Sequence, residues 1–329
     1  MEFAPTKRLQ LFAGRSNPQL ATKVAEHLNI QLGHPNLVDF ASGEMRCTFG
    51  ESIRGSDVFI MQTHSYPVND HIMEQLIMID ALKRASARRI TAVCPFYGYA
   101  RQDRKAEGRE PITARLLADL FTVAGADRVV VVDLHTGQIQ GFFNFPVDHL
   151  TAVPLLADHL VGVLDRETDV TVVSPDAGGG KLARRFANCL DGHGVHADLA
   201  FIDKRRPKGT HNVAVATEVV GLVAGRQCIL IDDMIDTAGT VVSAAELLMS
   251  RGASSVSILA THGLLSGPAV DRLKNGPIRD VVVTNSLPVP SEKHFDALTV
   301  LSIAPIVADA LAAVFEERSV SELFSGDNT

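Results

Sequence analysis

The sequence predicts an α/β protein that contains two doubly wound parallel sheets. Short apolar runs rich in Val and Ile alternate with stretches of helical spacing, and this alternation occurs twice along the 329 residues. The apolar runs are continuous, which is typical of parallel strands buried on both faces. A chain of this length usually forms two domains of about 150 residues each. We therefore expect one domain over residues 1–150, a second over 151–305, and a C-terminal helix and tail over 306–329.

The composition favours an aliphatic core and disfavours several classes of protein. Hydrophobic residues make up 46% of the chain, aromatic residues make up 5%, and Trp is absent. The net charge of −7 argues against a general nucleic-acid binder. The four cysteines lack metal-binding spacing and are typical of reduced thiols in a cytosolic protein. We expect a cytoplasmic protein without a membrane partner, since no apolar run reaches the roughly 18 residues of a span and the N-terminus lacks a signal-peptide pattern.

The predicted elements follow from the apolar runs and their periodicity. In the first half, the predicted strands are residues 9–13, 45–49, 57–62, 88–95 and 128–132. The predicted helices there are one that follows the turn at residues 14–18 and extends through residue 28, and one over residues 68–85, and we expect Asn69 or Asp70 to cap the second one. In the second half, the predicted strands are residues 169–173, 199–202, 228–231, 255–260, 280–284 and 298–301. The predicted helices of that half are residues 153–163, a helix that begins near 241, and residues 306–317.

The stretch around residues 227–249 predicts a phosphate-binding loop between a strand and a helix. The apolar run ends in Asp232 and Asp233, and helical spacing begins at Val241. Small or polar residues precede that helix: Asp236, Thr237, Ala238, Gly239 and Thr240. Unpaired N–H groups at a helix N-terminus and Thr hydroxyls bind phosphate, whereas paired carboxylates suit the hydroxyl groups of a sugar. The pattern indicates a ribose phosphate site, and an ordinary strand–helix connection with an Asp cap is the alternative.

Two further loops of the second half carry groups suited to phosphate. One turn follows the strand at 169–173 and contains Asp176, Ala177, Gly178 and Gly179. Glycines let the backbone approach an anion closely, and a carboxylate beside a phosphate usually implies a bridging cation. The strand at 199–202 is followed by a basic run with Lys204 and Arg206, which we interpret as a mobile flap that closes over phosphoryl charge. A polyglycine turn and a solvated basic turn are the alternatives.

Two loops of the first half also follow predicted strands. The loop after residues 88–95 is basic and aromatic, and its Arg101 and Gln102 suit a polyphosphate and a base. Asp133 and His135 lie two residues apart after the next strand, at the sheet edge where open α/β sheets bind ligands. They could share a cation or orient a phosphate. A solvated loop and a structural histidine are the alternatives, and the residue types do not identify the metal.

These five loops all suit an anionic ligand that carries a sugar, and we expect them to line a cleft between the two sheets. Such independent features rarely converge on one ligand by chance. The loops supply cations and anion-binding turns, which is what phosphoryl transfer requires, because that reaction depends on positioning and charge neutralisation rather than on a covalent nucleophile.

Several longer stretches resemble the ribose-phosphate pyrophosphokinase (PRPP synthetase) family, in its phosphate-activated class. The resemblance extends over nearly the whole chain, from Gly14-Arg15-Ser16-Asn17-Pro18 to the C-terminal run that ends at Phe324. Its most specific segments are residues 75–87 (QLIMIDALKRASA), 99–105 (YARQDRK), 109–113 (REPIT), 138–143 (QIQGFF), 203–207 (DKRRP) and 232–240 (DDMIDTAGT). The resemblance implies that both domains are phosphoribosyltransferase-like, and we expect residues 306–329 to pack on the first.

The resemblance also implies a reaction and a role for each loop. The β,γ-diphosphoryl group of ATP passes to O1 of ribose 5-phosphate, which gives PRPP and AMP for nucleotide biosynthesis and requires Mg²⁺. Lys204 and Arg206 stabilise the transition state, and Arg206 also contacts ribose 5-phosphate. The sugar phosphate is bound by Asp232, Asp233, Asp236, Thr237, Ala238, Gly239 and Thr240. The diphosphate loop consists of Asp176, Ala177, Gly178 and Gly179. Metal is held by His135 and Asp176, with Asp133 as a further candidate.

ATP is implied to bind at Arg101 and Gln102, together with a turn from a neighbouring subunit. The residues of that turn are Phe40, Ser42, Gly43 and Glu44. The family pattern further implies a hexamer built from dimers, activation by phosphate and inhibition by ADP. Two positions depart from the pattern. Ser42 stands where the family usually has Asp or Asn, and this difference concerns the strength or selectivity of adenine recognition. Asn144 stands where many members have Asp, and it concerns a peripheral metal or phosphate contact.

Two other classes of protein compete with this interpretation. A phosphoribosyltransferase would share the loop at 232–240 but would make no use of ATP, and the basic loop at 101–105 disfavours it. A non-catalytic regulatory subunit that resembles the family is disfavoured because the residues implied in catalysis and metal binding are all present. Formation of AMP from ATP and ribose 5-phosphate distinguishes the three.

Overall fold

A computed structural model of the chain describes residues 7–165, 167–176, 178–205 and 215–324. These residues divide into two compact units. The first unit contains the chain up to Thr151, the segment Ser286–Pro288 and the chain from Ser302 onward. The second unit contains Ala152–Asn285 and Val289–Leu301.

The first unit contains a parallel sheet and a separate two-stranded hairpin. The sheet strands are β1 (Leu9–Ala13), β2 (Leu32–Gly33), β5 (Asp57–Met61), β6 (Arg89–Cys94), β7 (Arg128–Val132) and β8 (Val147–Leu150). They lie in the order β2-β1-β5-β6-β7-β8, and all neighbours are parallel. The antiparallel hairpin pairs β3 (Pro35–Asp39) with β4 (Met45–Phe49). The helices are α1 (Pro18–His27), α2 (Val68–Arg84), α3 (Thr113–Ala124) and α8 (Ala304–Phe315).

The second unit contains a larger sheet with one antiparallel edge strand. Its strands are β9 (Val170–Ser174), β10 (Ala197–Arg205), β11 (Val215–Val220), β12 (Gln227–Ile235), β13 (Ser255–Gly263), β14 (Asp280–Thr284) and β15 (Leu298–Leu301). They lie in the order β11-β10-β9-β12-β13-β14-β15, and β11 runs antiparallel to β10 whereas the other neighbours are parallel. The helices are α4 (Val153–Val163), α5 (Gly180–Gly192), α6 (Gly239–Ser250) and α7 (Ala269–Asn275).

Helices cover both faces of the sheets, as the continuous apolar runs predict. In the second unit, Val172 and Ile229 pack in a cluster with α4 and α5, whereas Val173 and Leu230 pack in another cluster with α6 and α7. Successive residues of a strand point to opposite faces, so the two clusters lie on opposite sides of the sheet. The predicted class of two doubly wound parallel sheets is confirmed. Among the described residues, no helix has the length and apolar composition needed to cross a bilayer.

The order of the strands reverses at one point in each sheet. In the second unit, the chain passes from β9 to β10 and then returns to β12, which pairs with the other edge of β9. In the first unit, the chain passes from β1 to β2 and returns to β5 on the other edge of β1. Open α/β sheets bind ligands beyond the carboxyl ends of the strands that flank such a reversal. The loops after β9 and β12 therefore occupy the expected ligand position of the second unit.

One predicted strand end is wrong at the two adjacent carboxylates. The sequence predicts a strand that ends at residue 231, but β12 continues through Asp232 and Asp233 to Ile235. It continues because β13 runs beside it to Gly263 and supplies hydrogen-bonding partners along that length. Charged side chains therefore do not end this strand.

Two local polar signals also misplace the end of an element. The predicted loop that begins at Asp203 is wrong for its first three residues, because β10 extends to Arg205 and pairs there with β11, a strand that the sequence did not predict. The predicted cap at Asn69 or Asp70 is wrong as well. Helix α2 begins after Pro67, which makes no side-chain capping bond.

Candidate functional site

The end of β12 places two carboxylates beside the reversal point of the second sheet. Asp232 pairs with Ala260 of β13, and that pairing continues to the end of the strand. The pairing between β12 and β9 ends earlier, at Leu230 and Val173. Asp232 therefore lies just beyond the last β9 pair, where the chain of β9 turns into the loop of Asp176.

The electrostatics of Asp232 reflect three crowded carboxylates. Burial raises the pKa of Asp232 well above its usual range, the neighbouring Asp233 raises it further, and Asp176 from the adjacent loop adds to the effect. The N–H group of Asp233 donates to Oδ1 of Asp232 at 2.9 Å and opposes part of that rise. Such a group is stabilised by a cation or by hydroxyl groups that donate hydrogen bonds to it. The sequence predicted both carboxylates as site residues, and the structure brings Asp176 near them.

The loop after β12 leads directly into the N-terminus of α6. Ala238 has φ 59° and ψ 0°, a left-handed conformation that is uncommon for a residue with a Cβ atom, and α6 begins at the next residue, Gly239. The methyl side chain of Ala238 makes no capping bond to the first turn. Thr237 and Thr240 are exposed on either side of Ala238. The loop therefore offers hydroxyl groups and the positive end of a helix dipole at one place, as an anion site requires.

The loop after β9 binds its own carboxylate. Oδ1 of Asp176 accepts the N–H groups of Gly178 at 2.9 Å and Gly179 at 3.1 Å. The hydroxyl of Ser174 donates to the carbonyl oxygen of Asp176 at 2.5 Å. The sequence predicted that the amide groups of this glycine turn bind an external anion. In this structure the amides of Gly178 and Gly179 bind the carboxylate of Asp176 instead. Ala177, the remaining predicted residue of this loop, lies outside the described residues.

The predicted basic flap is described only in part. Lys204 lies in β10 opposite Ala216 of β11, and the register of the pair shifts between Asp203 and Lys204. The side chain of Lys204 and the whole of Arg206 lie outside the described residues. Lys204 therefore belongs to an antiparallel ribbon at the edge of the sheet rather than to a loop.

In the first unit, the loop after β7 holds the predicted Asp133 and His135. Asp133 is buried, has φ 35°, and donates its N–H group to the carbonyl oxygen of Leu150 at 2.9 Å. His135 is exposed. The buried histidine of this region is His149, whose Nε2 accepts the N–H group of Leu134 at 2.9 Å. His149 therefore stabilises the loop through a buried hydrogen bond, whereas the side chain of His135 is exposed to solvent.

The basic loop after β6 is joined to the loop of His135. The hydroxyl of Thr136 donates to Oδ2 of Asp103 at 2.7 Å. Gln102 is fixed at both its backbone and its side chain, since its N–H group donates to Tyr99 at 2.8 Å and its Oε1 accepts the hydroxyl of Thr113 at 2.5 Å. Arg101 and Gln102 are both exposed. The structure therefore places the predicted Arg101, Gln102 and His135 on two connected loops.

A buried histidine fixes the base of the same basic loop. Burial lowers the pKa of His64 to about 4, so its ring is neutral at pH 7. Its Nδ1 accepts the N–H group of Gly98 at 2.8 Å, and its Nε2 contacts Oε1 of Gln75 at 2.9 Å. The neutral ring is therefore oriented by an amide side chain and in turn orients the start of the loop.

The predicted turn between β3 and β4 has an internal hydrogen-bond pattern. The N–H group of Phe40 donates to the carbonyl oxygen of Glu44 at 2.8 Å, and Gly43 has φ 88°. The hydroxyl of Ser42 donates to Oε2 of Glu44 at 2.9 Å. The Phe40 side chain is 50% exposed. In the single chain, the turn thus exposes the aromatic ring of Phe40 and the carboxylate of Glu44 to solvent.

An arginine ties this hairpin to the core of the first unit. The guanidinium of Arg15 contacts both carboxylate oxygens of Asp39, at 2.6 and 2.9 Å, and its Nε donates to Glu74 at 2.6 Å. The Glu74 side chain is only 1% exposed. The hydrogen bond from Arg15 holds the pKa of Asp39 below its usual range. Arg15 therefore links the residue before the turn to a buried carboxylate.

Sequence reasoning missed several of the residues that support these loops. They are Arg15, His64, Glu74 and His149, together with Arg272, whose Nη1 donates to the carbonyl oxygen of Thr237 at 2.9 Å. Each one acts on a partner that is distant along the chain, so no local spacing reveals it. Their signal is three-dimensional, since the sheet topology brings the partners together.

Two family models match separate parts of the chain. The N-terminal domain of ribose phosphate pyrophosphokinase matches residues 9–125, and the phosphoribosyl synthetase-associated domain matches residues 199–325. A ribose-phosphate pyrophosphokinase of Bifidobacterium longum is 55% identical over 325 residues, which cover 98% of this chain and 94% of that protein. A ribose-phosphate pyrophosphokinase of Mycobacterium tuberculosis is 54% identical over 323 residues, which cover 98% of this chain and 97% of that protein.

A solved structure agrees with these matches. The crystal structure of phosphoribosylpyrophosphate synthetase from Mycobacterium smegmatis has a TM-score of 0.87 and a sequence identity of 52%, and the match covers 94% of this chain and 100% of that chain. Sequence and fold therefore agree over nearly the full length. On this basis the chain belongs to the ribose-phosphate pyrophosphokinase family and is a transferase.

Proposed function

We propose that the loop between β12 and α6 binds ribose 5-phosphate in the reaction of this family. That reaction transfers the β,γ-diphosphoryl group of ATP to O1 of ribose 5-phosphate and gives PRPP and AMP, and a family member thereby supplies PRPP for nucleotide biosynthesis. The observation that carries the assignment is the occurrence, within one short strand–loop–helix segment, of the Asp232 and Asp233 carboxylates at the end of β12 and the N-terminus of α6. Carboxylates accept hydrogen bonds from ribose hydroxyls, and the helix N-terminus donates to the 5-phosphate.

The residues of this loop divide into two roles. Asp232 and Asp233 bind the ring hydroxyls, since both carry acceptors and neither suits a phosphate. The phosphate-binding part of the loop consists of Asp236, Thr237, Ala238, Gly239 and Thr240. The exposed Thr hydroxyls and the first amide groups of α6 supply donors there.

ATP binds to the first unit in this proposal. Arg101 and Gln102 hold its phosphates and base from the loop after β6, and a neighbouring subunit supplies Phe40, Ser42, Gly43 and Glu44. The exposure of these side chains and the fixed geometry of Gln102 support the assignment. Ser42 offers a hydroxyl where the family has a carboxylate or an amide, so it donates to Glu44 and leaves that carboxylate as the acceptor facing a ligand.

Lys204 and Arg206 are the catalytic residues of the proposal. Diphosphoryl transfer spreads negative charge over oxygen atoms in the transition state, and preorganised cations stabilise that charge. The position of Lys204 in an edge ribbon supports a role at the rim of the site. Arg206 additionally contacts ribose 5-phosphate, and the loop of Asp176, Ala177, Gly178 and Gly179 receives the diphosphate.

The carboxylates of the second unit support an assignment of Mg²⁺ there. Burial raises the pKa of Asp232, and the charges of Asp233 and Asp176 raise it further, so a nearby cation would stabilise the ionised group. Among the described residues, no three His, Cys, Asp or Glu side chains form a metal site, so substrate phosphates would supply further ligands, which suits Mg²⁺. Asp176 would hold the ion together with substrate phosphates. His135, with Asp133 as a further candidate, would serve a second ion in the first unit. A bound Mg²⁺ would neutralise the phosphate charge during transfer.

The remaining assignments concern assembly and regulation. We propose that the chain belongs to the phosphate-activated class, works in the cytoplasm as a hexamer built from dimers, and is activated by phosphate and inhibited by ADP. The ATP-binding part corresponds to residues 1–150, and the ribose 5-phosphate part corresponds to residues 151–305. In this proposal the tail 306–329 packs on the ATP-binding part, and α8, which belongs to the first compact unit, supports this.

Release of AMP tests the proposed function. Purified protein with ATP, ribose 5-phosphate and Mg²⁺ should release AMP, and AMP release should depend on ribose 5-phosphate. Chromatography of the products measures it. Release of ADP in place of AMP, or full activity in excess chelator, would contradict the proposal.

A further inference from the structure

A segment beside the ribose 5-phosphate loop binds that loop at three consecutive carbonyl groups. The segment extends from Leu265 to Arg272 and comprises most of the connection after β13 and the first turn of α7. The three bonds are Leu265 N–H to the oxygen of Ile235 at 3.0 Å, Ser266 N–H to that of Asp236 at 2.9 Å, and Arg272 Nη1 to that of Thr237 at 2.9 Å. Two donors are backbone groups, and Arg272 contributes the one side-chain donor of the set.

These bonds determine the direction of the loop amides. In a trans peptide unit, the carbonyl group and the following N–H group point in opposite directions. Because the oxygens of residues 235–237 point toward the supporting segment, the N–H groups of Asp236, Thr237 and Ala238 point away from it. Successive amides with a common direction form an anion-binding concavity. The supporting segment therefore prepares the loop for a phosphate.

The segment itself is firmly anchored. Ala269 and Leu273 of α7 are buried, with 0% and 2% of their surface exposed. From this position the guanidinium of Arg272 reaches both sides of Ala238. It bonds to the carbonyl of Thr237, and a Cβ atom at Gly239 would lie 3.2 Å from its Nη1. The glycine at position 239 thus leaves room for Arg272 against the loop.

We propose that Arg272 is a positioning residue for the 5-phosphate of ribose 5-phosphate. Its bond to Thr237 holds the third carbonyl of the series and keeps the amide of Ala238 directed at the phosphate. Leu265 and Ser266 hold the two preceding carbonyls through backbone donors, which substitution does not remove. Substitution of Arg272 is therefore the way to remove one of these three hydrogen bonds. The inference rests on the proposed function, since it assigns the 5-phosphate to this loop.

The test compares three substitutions on α7. Arg272→Gln is too short to keep the bond to Thr237, so KM for ribose 5-phosphate should rise about tenfold, the scale of one charge-assisted hydrogen bond. KM for ATP and kcat should change little. Arg272→Lys keeps a charged donor without the planar fork and should give an intermediate KM. Lys274→Gln removes the same charge from the same helix and should behave as the wild type. Titration of ribose 5-phosphate without ATP should show the same order.

Three outcomes would overturn the inference. Ribose 5-phosphate could bind Arg272→Gln as tightly as it binds the wild type. Lys274→Gln could match Arg272→Gln, which would show a general effect of charge. KM for ATP could rise as much as KM for ribose 5-phosphate, which would show a structural role only. Failure of the proposed function is a separate result, because the wild type would then release no AMP and bind no ribose 5-phosphate.

Discussion

Asp232 is the residue whose ionisation should dominate the pH dependence of the unliganded site. Burial raises its pKa, and the charges of Asp233 and Asp176 raise it further. A carboxyl group with a raised pKa in the folded state favours folding when protonated, and that contribution is lost as pH rises through the folded-state pKa. Asp232 therefore makes the unliganded protein less stable at neutral pH than below the unfolded-state pKa, a cost that a ligand or a cation compensates.

Asp232→Asn should remove this cost in stability and should also weaken the binding of ribose 5-phosphate. At pH 7 the unliganded variant should be more stable than the wild type, and the difference should shrink as pH falls toward the unfolded-state pKa of about 4. Binding of ribose 5-phosphate should weaken by about tenfold or more, because an amide replaces a charged acceptor. Thermal unfolding from pH 4 to 8 and ligand titration measure the two effects.

The exposed carboxylate of Asp309 on α8 provides a control for this experiment. Asp309→Asn should leave both the pH dependence and ribose 5-phosphate binding unchanged. An Asp232→Asn variant that is less stable than the wild type at pH 7 would contradict the account of a crowded, costly carboxylate.

Arg15 and Asp39 allow the buried and exposed parts of one ion-pair network to be separated. Arg15→Met removes the guanidinium partner of the buried Glu74 and should reduce the free energy of unfolding by about 2 kcal/mol. The loss should be less than that expected for a fully buried pair, because the Arg15 side chain is partly solvated. Glu74 also keeps the backbone N–H of residue 15, at 2.7 Å, and the amide of Gln62, at 2.7 Å, as donors to its Oε1. Asp39→Asn leaves the Arg15–Glu74 bond intact and should have a much smaller effect. Urea unfolding measures both. Equal losses would show that Glu74 does not depend on Arg15.

The sequence predicts where a candidate site residue lies when that residue closely follows an apolar strand. Asp232, Asp176 and His135 each lie within a few residues of an apolar run, and the structure places all three at the end of a strand or just after it. Their roles in binding stay predictions based on the rule that strand ends carry ligands. Arg272 could not be selected in this way, because its partner Thr237 lies 35 residues away. The role of such a residue depends on how the sheet brings two connections together.

At the scale of elements, the turn after β9 contains three consecutive glycines, residues 178–180, and its conformation depends on the middle one, Gly179. A Cβ atom at Gly179 would lie 2.6 Å from Oγ of the buried Ser174, so either that hydroxyl, which donates to the carbonyl oxygen of Asp176, or the loop must shift. Gly179→Ala should therefore disturb the amides that hold Asp176 and reduce kcat by about tenfold or more, the scale of losing one preorganised contact. Steady-state kinetics measure the loss.

A second substitution makes this prediction specific. Ser174→Ala removes the clashing oxygen, since the Cβ atom of Ser174 lies 3.9 Å from the added methyl group. The double variant should therefore be more active than Gly179→Ala alone. Gly162→Ala in α4 meets nothing within 4 Å and should be neutral. A double variant as impaired as the single one would mean that the clash with Ser174 is not the cause.

Elements were predictable to different degrees for a physical reason. The strand at 128–132 was predicted to the residue, because a run of Val buried on both faces has no other stable arrangement in an open sheet. The ends of β10 and β12 were not, because Arg205 and Ile235 remain in strands through pairing with β11 and β13. Pairing with a distant segment overrides the local signal of charged residues.

At the scale of the whole molecule, the proposal places the turn of Glu44 and the ribbon of Lys204 on different chains of one active site. Glu44→Ala and Lys204→Ala should each be nearly inactive alone, because each damages every site of its own oligomer. In mixed oligomers, about a quarter of the sites should draw both intact elements from the two different chains. Purification through two different tags isolates the mixed species for assay. A confirmed mixed oligomer without activity would place both elements on one chain.

The position of bond cleavage in ATP tests the central claim most directly. ATP labelled in its β-phosphate is incubated with the protein, ribose 5-phosphate and Mg²⁺, and the labelled products are separated. Transfer of the diphosphoryl group predicts that the label leaves with the sugar as PRPP and that unlabelled AMP remains. Retention of the label in ADP would show transfer of a single phosphoryl group and would contradict the account.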